Sequence, residues 1–112
     1  MARARIIAAA RELFFRGGFV RVTADEIAAE LGISKATLYK EFRSKEEVLL
    51  VVVREFMADV AGRVDILMND ESLSFVDRLA ALSSLVGSRI SELGPLFIRD
   101  IQKSAPAVLK EI

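Results

Sequence analysis

From position 2 the apolar residues Ile6, Ile7, Ala10, Leu13 and Phe14 recur at helical spacing, with Arg3, Arg11, Glu12 and Arg16 on the opposite side. The pattern predicts a helix over 2–16. Gly17-Gly18 ends it, because glycine takes the left-handed position after a helix without steric cost. Thr23 and Glu26 then have the spacing of a capping box, and Val22 and Ile27 that of a hydrophobic staple, so a short helix over 24–31 is expected. Gly32 stops it. Ser34 opens a third helix over 35–42, with Ile33 and Leu38 as its staple pair. Ser44 and Glu47 form another capping box, at the head of a long helix over 45–68 whose stripe is Leu49, Val52, Phe56, Val60, Val64 and Leu67.

Residues 69–72 read as a turn. A fifth helix over 74–93 is marked by Phe75, Leu79, Leu82, Val86 and Ile90, and Gly94-Pro95 breaks it. A sixth helix over 95–103 takes Pro95 at its first position, where a missing N–H is harmless. Ser104-Ala105-Pro106 reads as the cap and first turn of a seventh. No strand-like alternation, internal repeat or low-complexity tract interrupts this, so the fold class is all-α. Leu13, Phe14, Ile27, Leu38 and Phe42 are the expected core of the first three helices.

Composition narrows the chemistry. The chain has 112 residues and neither His nor Cys. That excludes imidazole or thiolate nucleophiles, a Cys/His zinc site and disulfides. No catalytic residue, cofactor or metal is expected. The 53% hydrophobic content and mean hydropathy of +0.37 are high for so short a chain and point to a partner chain. The longest apolar run, 48–53, is far short of a membrane span, and the start lacks the shape of a secretory signal. No membrane partner is expected, and the cytoplasm is the expected compartment. Net charge is zero, yet residues 1–45 hold nine Lys/Arg against five acids, which suits a chain that meets a polyanion at one end.

The pair of short helices joined at Gly32 has the sequence shape of a helix-turn-helix, whose second helix lies in the major groove of DNA. Leu38 and Phe42 point inward. Ala36, Thr37 and Lys40 form the opposite arc, small and polar, flanked by Lys35 and Tyr39. A short side chain lets the helix approach, Thr37 can touch a thymine methyl, and Lys40 can reach guanine or a phosphate. Free N–H groups behind the caps Thr23, Ser34 and Ser44 can bind phosphate oxygens, and Lys45 adds charge beside them.

These residues resemble a known family. Ile7 to Phe14 with Gly18-Phe19, then Val22 to Ala28, then Leu31 to Phe42 with Ser44 to Leu49 look like the DNA-binding domain of TetR (tetracycline-repressor-like) regulators. The resemblance implies a three-helix helix-turn-helix domain over 1–47. A long linking helix and part of a helical ligand-binding and dimerisation domain would follow over 48–112, in a chain expected to be longer than 112 residues. It also implies a ligand-responsive regulator, in most cases a repressor. Such a protein binds a palindromic double-stranded operator as a homodimer and answers to a small-molecule effector. Thr23, Lys35, Thr37, Tyr39 and Lys45 stand where the family contacts DNA, with Ala36 and Lys40 on the base-facing side. Glu41 departs from the family's pattern and is expected either to turn away or to pair with Lys45.

Two other classes remain open. A helical protein-interaction module without DNA binding would make the basic end incidental. An enzyme working with carboxylates would need a buried acid, and none is expected on an apolar stripe.

Overall fold

Serine and threonine caps open four of the helices, at the three positions the sequence marks and at Ser74. The Oγ atoms of Thr23, Ser34, Ser44 and Ser74 accept from the backbone N–H three residues on, at 3.0–3.1 Å. Each removes one of the donors that a helix start leaves unpaired. A computed structural model describes residues 2–111, and the side chains of residues 2–103. Among these it has six helices: α1 (Ala2–Gly17), α2 (Ala24–Leu31), α3 (Lys35–Glu41), α4 (Lys45–Met68), α5 (Phe75–Ser91) and α6 (Pro95–Glu111).

The turn between α2 and α3 is set by Gly32 at φ 67°, a left-handed conformation that costs a side chain energy. Gly32 N–H bonds Ala29 O and Ile33 N–H bonds Ala28 O, which satisfies the last carbonyls of α2 and turns the chain into the Ser34 cap.

The chain forms two compact units. The first contains α1 to α3, α4 as far as Arg54, and the segment from Leu93 onward. Its core is Ile6, Ala10 and Phe14 of α1, Ile27 and Ala28 of α2, Leu38, Phe42, and Val48, Leu49 and Val52 of α4, all buried. Of the expected core residues, Leu13 is only half-buried, and its neighbour Phe15 is buried instead. The reason is α6: Phe97 meets the Phe15 ring edge-on at 5.0 Å, and Gly94 N–H donates to Phe15 O at 2.8 Å. Although α6 falls in the stretch that the sequence assigns to a second domain, it packs against α1.

The second unit, Glu55–Glu92, joins the rest of α4 to α5. Arg89 pairs with Asp59 and, at 2.8 Å, with Glu92, and lies over the Phe56 ring at 5.2 Å. Arg78 donates to Asp70 O at 2.6 Å and so braces the turn. The expected α5 stripe is largely solvent-facing, with Phe75 76% exposed.

One expected element is corrected. The seventh helix is not separate, because α6 runs unbroken through Pro106 to Glu111. An internal proline forfeits one backbone hydrogen bond, and the helix here carries that loss instead of ending. No helix among the described residues is long and apolar enough to cross a membrane.

Candidate nucleic-acid interface

With Leu38 fully buried, α3 turns its other side outward, and Ala36, Tyr39 and Lys40 are exposed there. Of the arc expected from the sequence, Ala36 and Lys40 face outward together with the flanking Tyr39. Thr37 is half-buried, and its hydroxyl is 2.8 Å from Ser34 Oγ, so the cap and its neighbour share one hydrogen-bonded unit. Lys35 projects near Asp25 at 3.8 Å with both side chains well exposed, a contact that leaves its ammonium accessible.

Beside this face lies an open concavity of about 520 Å³, lined by Thr23, Ala24, Asp25, Lys35, Tyr39, Arg43, Ser44, Lys45 and Glu46. It brings together four of the expected contact residues, Thr23, Lys35, Tyr39 and Lys45. Ser34, Ala36, Thr37 and Lys40 are not among its lining residues. The caps of α2 and α4, Thr23 and Ser44, both border it, so two helix N-termini flank one depression. Chemically it offers hydroxyls, partly positive helix ends and cations, the donor set that binds phosphate oxygens. Arg43, its side chain 94% exposed, belongs to this set and sequence reasoning passed over it. A basic residue just before a capping serine was the available signal.

Lys45 lines the concavity, but its ammonium is directed into the connection between α1 and α2. It donates to Phe19 O at 2.8 Å, Val22 O at 3.0 Å and Val20 O at 3.4 Å, and lies 4.3 Å from the centre of the Phe19 ring. It therefore does not pair with Glu41, whose side chain is exposed. The C-terminal end of α3 is held from α1 instead, where Arg3 donates to Glu41 O at 3.0 Å and lies 4.4 Å from the Phe42 ring centre.

Asp100 overturns the expectation that no acid sits on an apolar face. It is 2% exposed, and its Oδ2 accepts from Phe19 N–H at 2.9 Å and Val20 N–H at 3.1 Å. The Val20 amide holds this carboxyl below the usual aspartate range, with help from the Phe19 amide and Arg99, and together they outweigh the opposing effect of burial. A carboxylate so engaged is a structural acceptor, not a free acid or base. No local pattern announces it, since its partners lie 80 residues back in the chain.

Comparison with known proteins gives these features a family. The profile of the bacterial regulatory proteins of the tetR family matches residues 6–52. An HTH-type transcriptional regulator of Bacillus subtilis, YerO, is 50% identical over 46 residues, 41% of this chain and 16% of its own length. A second from that organism, YvaF, is 33% identical over 75 residues, 67% of this chain and 39% of its own. The HTH-type transcriptional activator FasR of Mycolicibacterium smegmatis is 36% identical over 62 residues, 55% and 28%. The chain thus spans well under half of these relatives. A crystal structure of a TetR-family transcriptional regulator from Marinobacter aquaeolei matches the fold over all of this chain and 52% of its own, with TM-score 0.76 and 22% identity. Residues 6–52 thus match the tetR family of bacterial regulatory proteins, and the chain shares the fold of a TetR-family structure.

Proposed function

We propose that this chain carries the operator-reading part of a ligand-responsive regulator that acts as a homodimer on palindromic DNA and represses by occupying its site. Helix α3 enters the major groove with Ala36 and Lys40 toward the bases and Thr37 at their edge. Thr23, Ser34, Lys35 and Tyr39 meet the flanking phosphates, joined by Arg43. The observation that carries this reading is the convergence of Thr23, Lys35, Tyr39, Arg43 and Ser44 on one concavity next to the exposed arc of α3. A two-fold dimer would present two such faces to half-sites a helical turn or a multiple apart. The DNA-reading surface is the same for repression and activation, and a relative bears the name of an activator. Repression is the sign that the family resemblance implies, and the effector site would lie outside the DNA-reading helices.

Selection from a randomised duplex library tests this. Lys40→Ala should change the preferred sequence, because a well-made base contact discriminates by ~1–3 kcal/mol. Lys35→Ala should weaken binding to all sequences and lower the slope of log K against log salt by about 0.9. If both variants select and bind as the parent does, the groove assignment fails.

A further inference from the structure

The segment that links α1 to α2 is gripped from two sides by opposite charges. Asp100 of α6 takes its N–H groups, at Phe19 and Val20, and Lys45 takes its C=O groups, at Phe19, Val20 and Val22. Phe19 is buried between them, its ring edge-on to Phe14 at 5.3 Å. The fit to Asp100 is close: Gly18 has φ 88°, and a Cβ there would stand 2.7 Å from Asp100 Oδ2. The residue that follows this segment is Thr23, the cap of α2. Lys45 is itself the first residue of α4, directly after the cap Ser44. One ammonium therefore ties the entrance of α2 to the start of α4, the two helix N-termini that border the concavity.

We infer that Lys45 and Asp100 are positioning residues for DNA binding: acting on opposite sides of one backbone segment, they fix the spacing of the α2 and α4 N-termini, and Lys45 does so without serving as a phosphate ligand. The inference rests on the DNA-binding reading above. Its chemistry follows from where the protons go. The three N–H groups of Lys45 have carbonyl acceptors, so a phosphate would have to displace a hydrogen bond already made. What Lys45 contributes is the place of Thr23 Oγ and of the amides behind it. Those donors are neutral and bind phosphate without the counterion release that an added cation brings.

The test uses the 112-residue chain and a mixed-sequence DNA duplex, with affinity measured across a salt series. Lys45→Met should lower affinity roughly tenfold at every salt concentration while the slope of log K against log salt stays within half a unit of the parent's. Lys45→Arg should also bind weakly. A guanidinium restores a phosphate contact but is planar and cannot direct three N–H groups as an ammonium does. Asp100→Asn is the sharpest case, because removing a negative charge should strengthen DNA binding by Coulomb attraction alone, whereas loss of positioning weakens it. Since both act on one segment, the double variant should be little worse than the weaker single variant.

Amide hydrogen exchange without DNA separates positioning from unfolding. The Glu26 N–H, which donates to Thr23 Oγ at 3.1 Å, should exchange faster in each variant, while Phe42 N–H in the core of the unit keeps its protection. A loss of about 0.9 in the Lys45→Met slope, or parent-like affinity in Lys45→Arg, would make Lys45 a phosphate ligand and overturn the inference. Unchanged or tighter binding by Asp100→Asn would overturn the part played by α6. If the parent itself does not bind duplex DNA, the DNA-binding reading fails, and an unaltered Glu26 exchange rate would show separately that the clamp does not fix the cap.

Discussion

Asp100 has a depressed folded-state pKa, and the sign of its effect on stability follows. Its carboxylate contributes fully above the unfolded-state aspartate pKa of ~3.9, and the contribution is lost as pH falls through the lower folded value. Acid unfolding of the parent should therefore show a stability loss beginning below about pH 4 that Asp100→Asn lacks, as urea melts over that range would measure. A steric contrast tests the neighbouring contact. A Cβ on Gly94 would stand 2.2 Å from Phe15 O, backbone against backbone, whereas one on Gly62, inside α4, meets nothing within 4 Å. Gly94→Ala should cost ~1–3 kcal/mol by forcing α6 away from α1. Gly62→Ala should stabilise by ~0.5–1 kcal/mol. A urea midpoint for Gly94→Ala equal to the parent's would remove α6 from its assigned place. The caps at Thr23, Ser34 and Ser44 were legible because each bonds an amide three residues away. The fates of Lys45 and Asp100 were not, since their partners are fixed by packing across 23 to 81 residues of chain.

At the scale of elements, α2, the Gly32 turn and α3 follow from local chemistry, and the sequence predicts their limits to within a residue. Arg3 adds a longer tie, from the first turn of α1 to the last carbonyl of α3. Helix α3 has only seven residues and would be marginal without its cap and these contacts. Ser34→Ala removes the acceptor for Thr37 N–H and the partner of the Thr37 hydroxyl, at a cost of about 1 kcal/mol. The expected result is a lower melting temperature together with weaker DNA binding, because fraying starts beside Ala36 and Thr37. Full DNA affinity in a variant whose melting temperature has dropped would show that the first turn of α3 takes no part in the contact. Where the sequence misled was α6. Ser-Ala-Pro is a good helix start, but nothing local says whether a proline begins a new helix or is carried inside an old one. The attachment of α6 to α1 was hidden for the same reason: Phe97, Gly94 and Asp100 find their partners in the last turn of α1 and the segment after it.

For the whole molecule, two surfaces respond to salt in opposite ways. Residues 1–45 carry the basic excess and the face proposed to read DNA, so binding to duplex should weaken as salt rises. In the second unit, α5 has no buried residue, and Phe75, Val76, Leu79 and Ile90 are 52–76% exposed. Apolar area of that kind drives association, which salt does not weaken. Little opposes it near neutral pH, where the net charge is zero and the isoelectric point is about 6.3. The 112-residue chain should therefore self-associate with rising concentration, most strongly near pH 6.3, and remain associated in salt that releases DNA. Leu79→Glu with Ile90→Lys places charge on that face without changing the net charge. It should shift sedimentation toward the monomer and leave the salt slope of DNA binding at the parent's value. Association that survives this pair of substitutions would put the contact on a different face of the chain, and a parent that sediments as a monomer at every concentration would show that the exposed α5 stripe drives none.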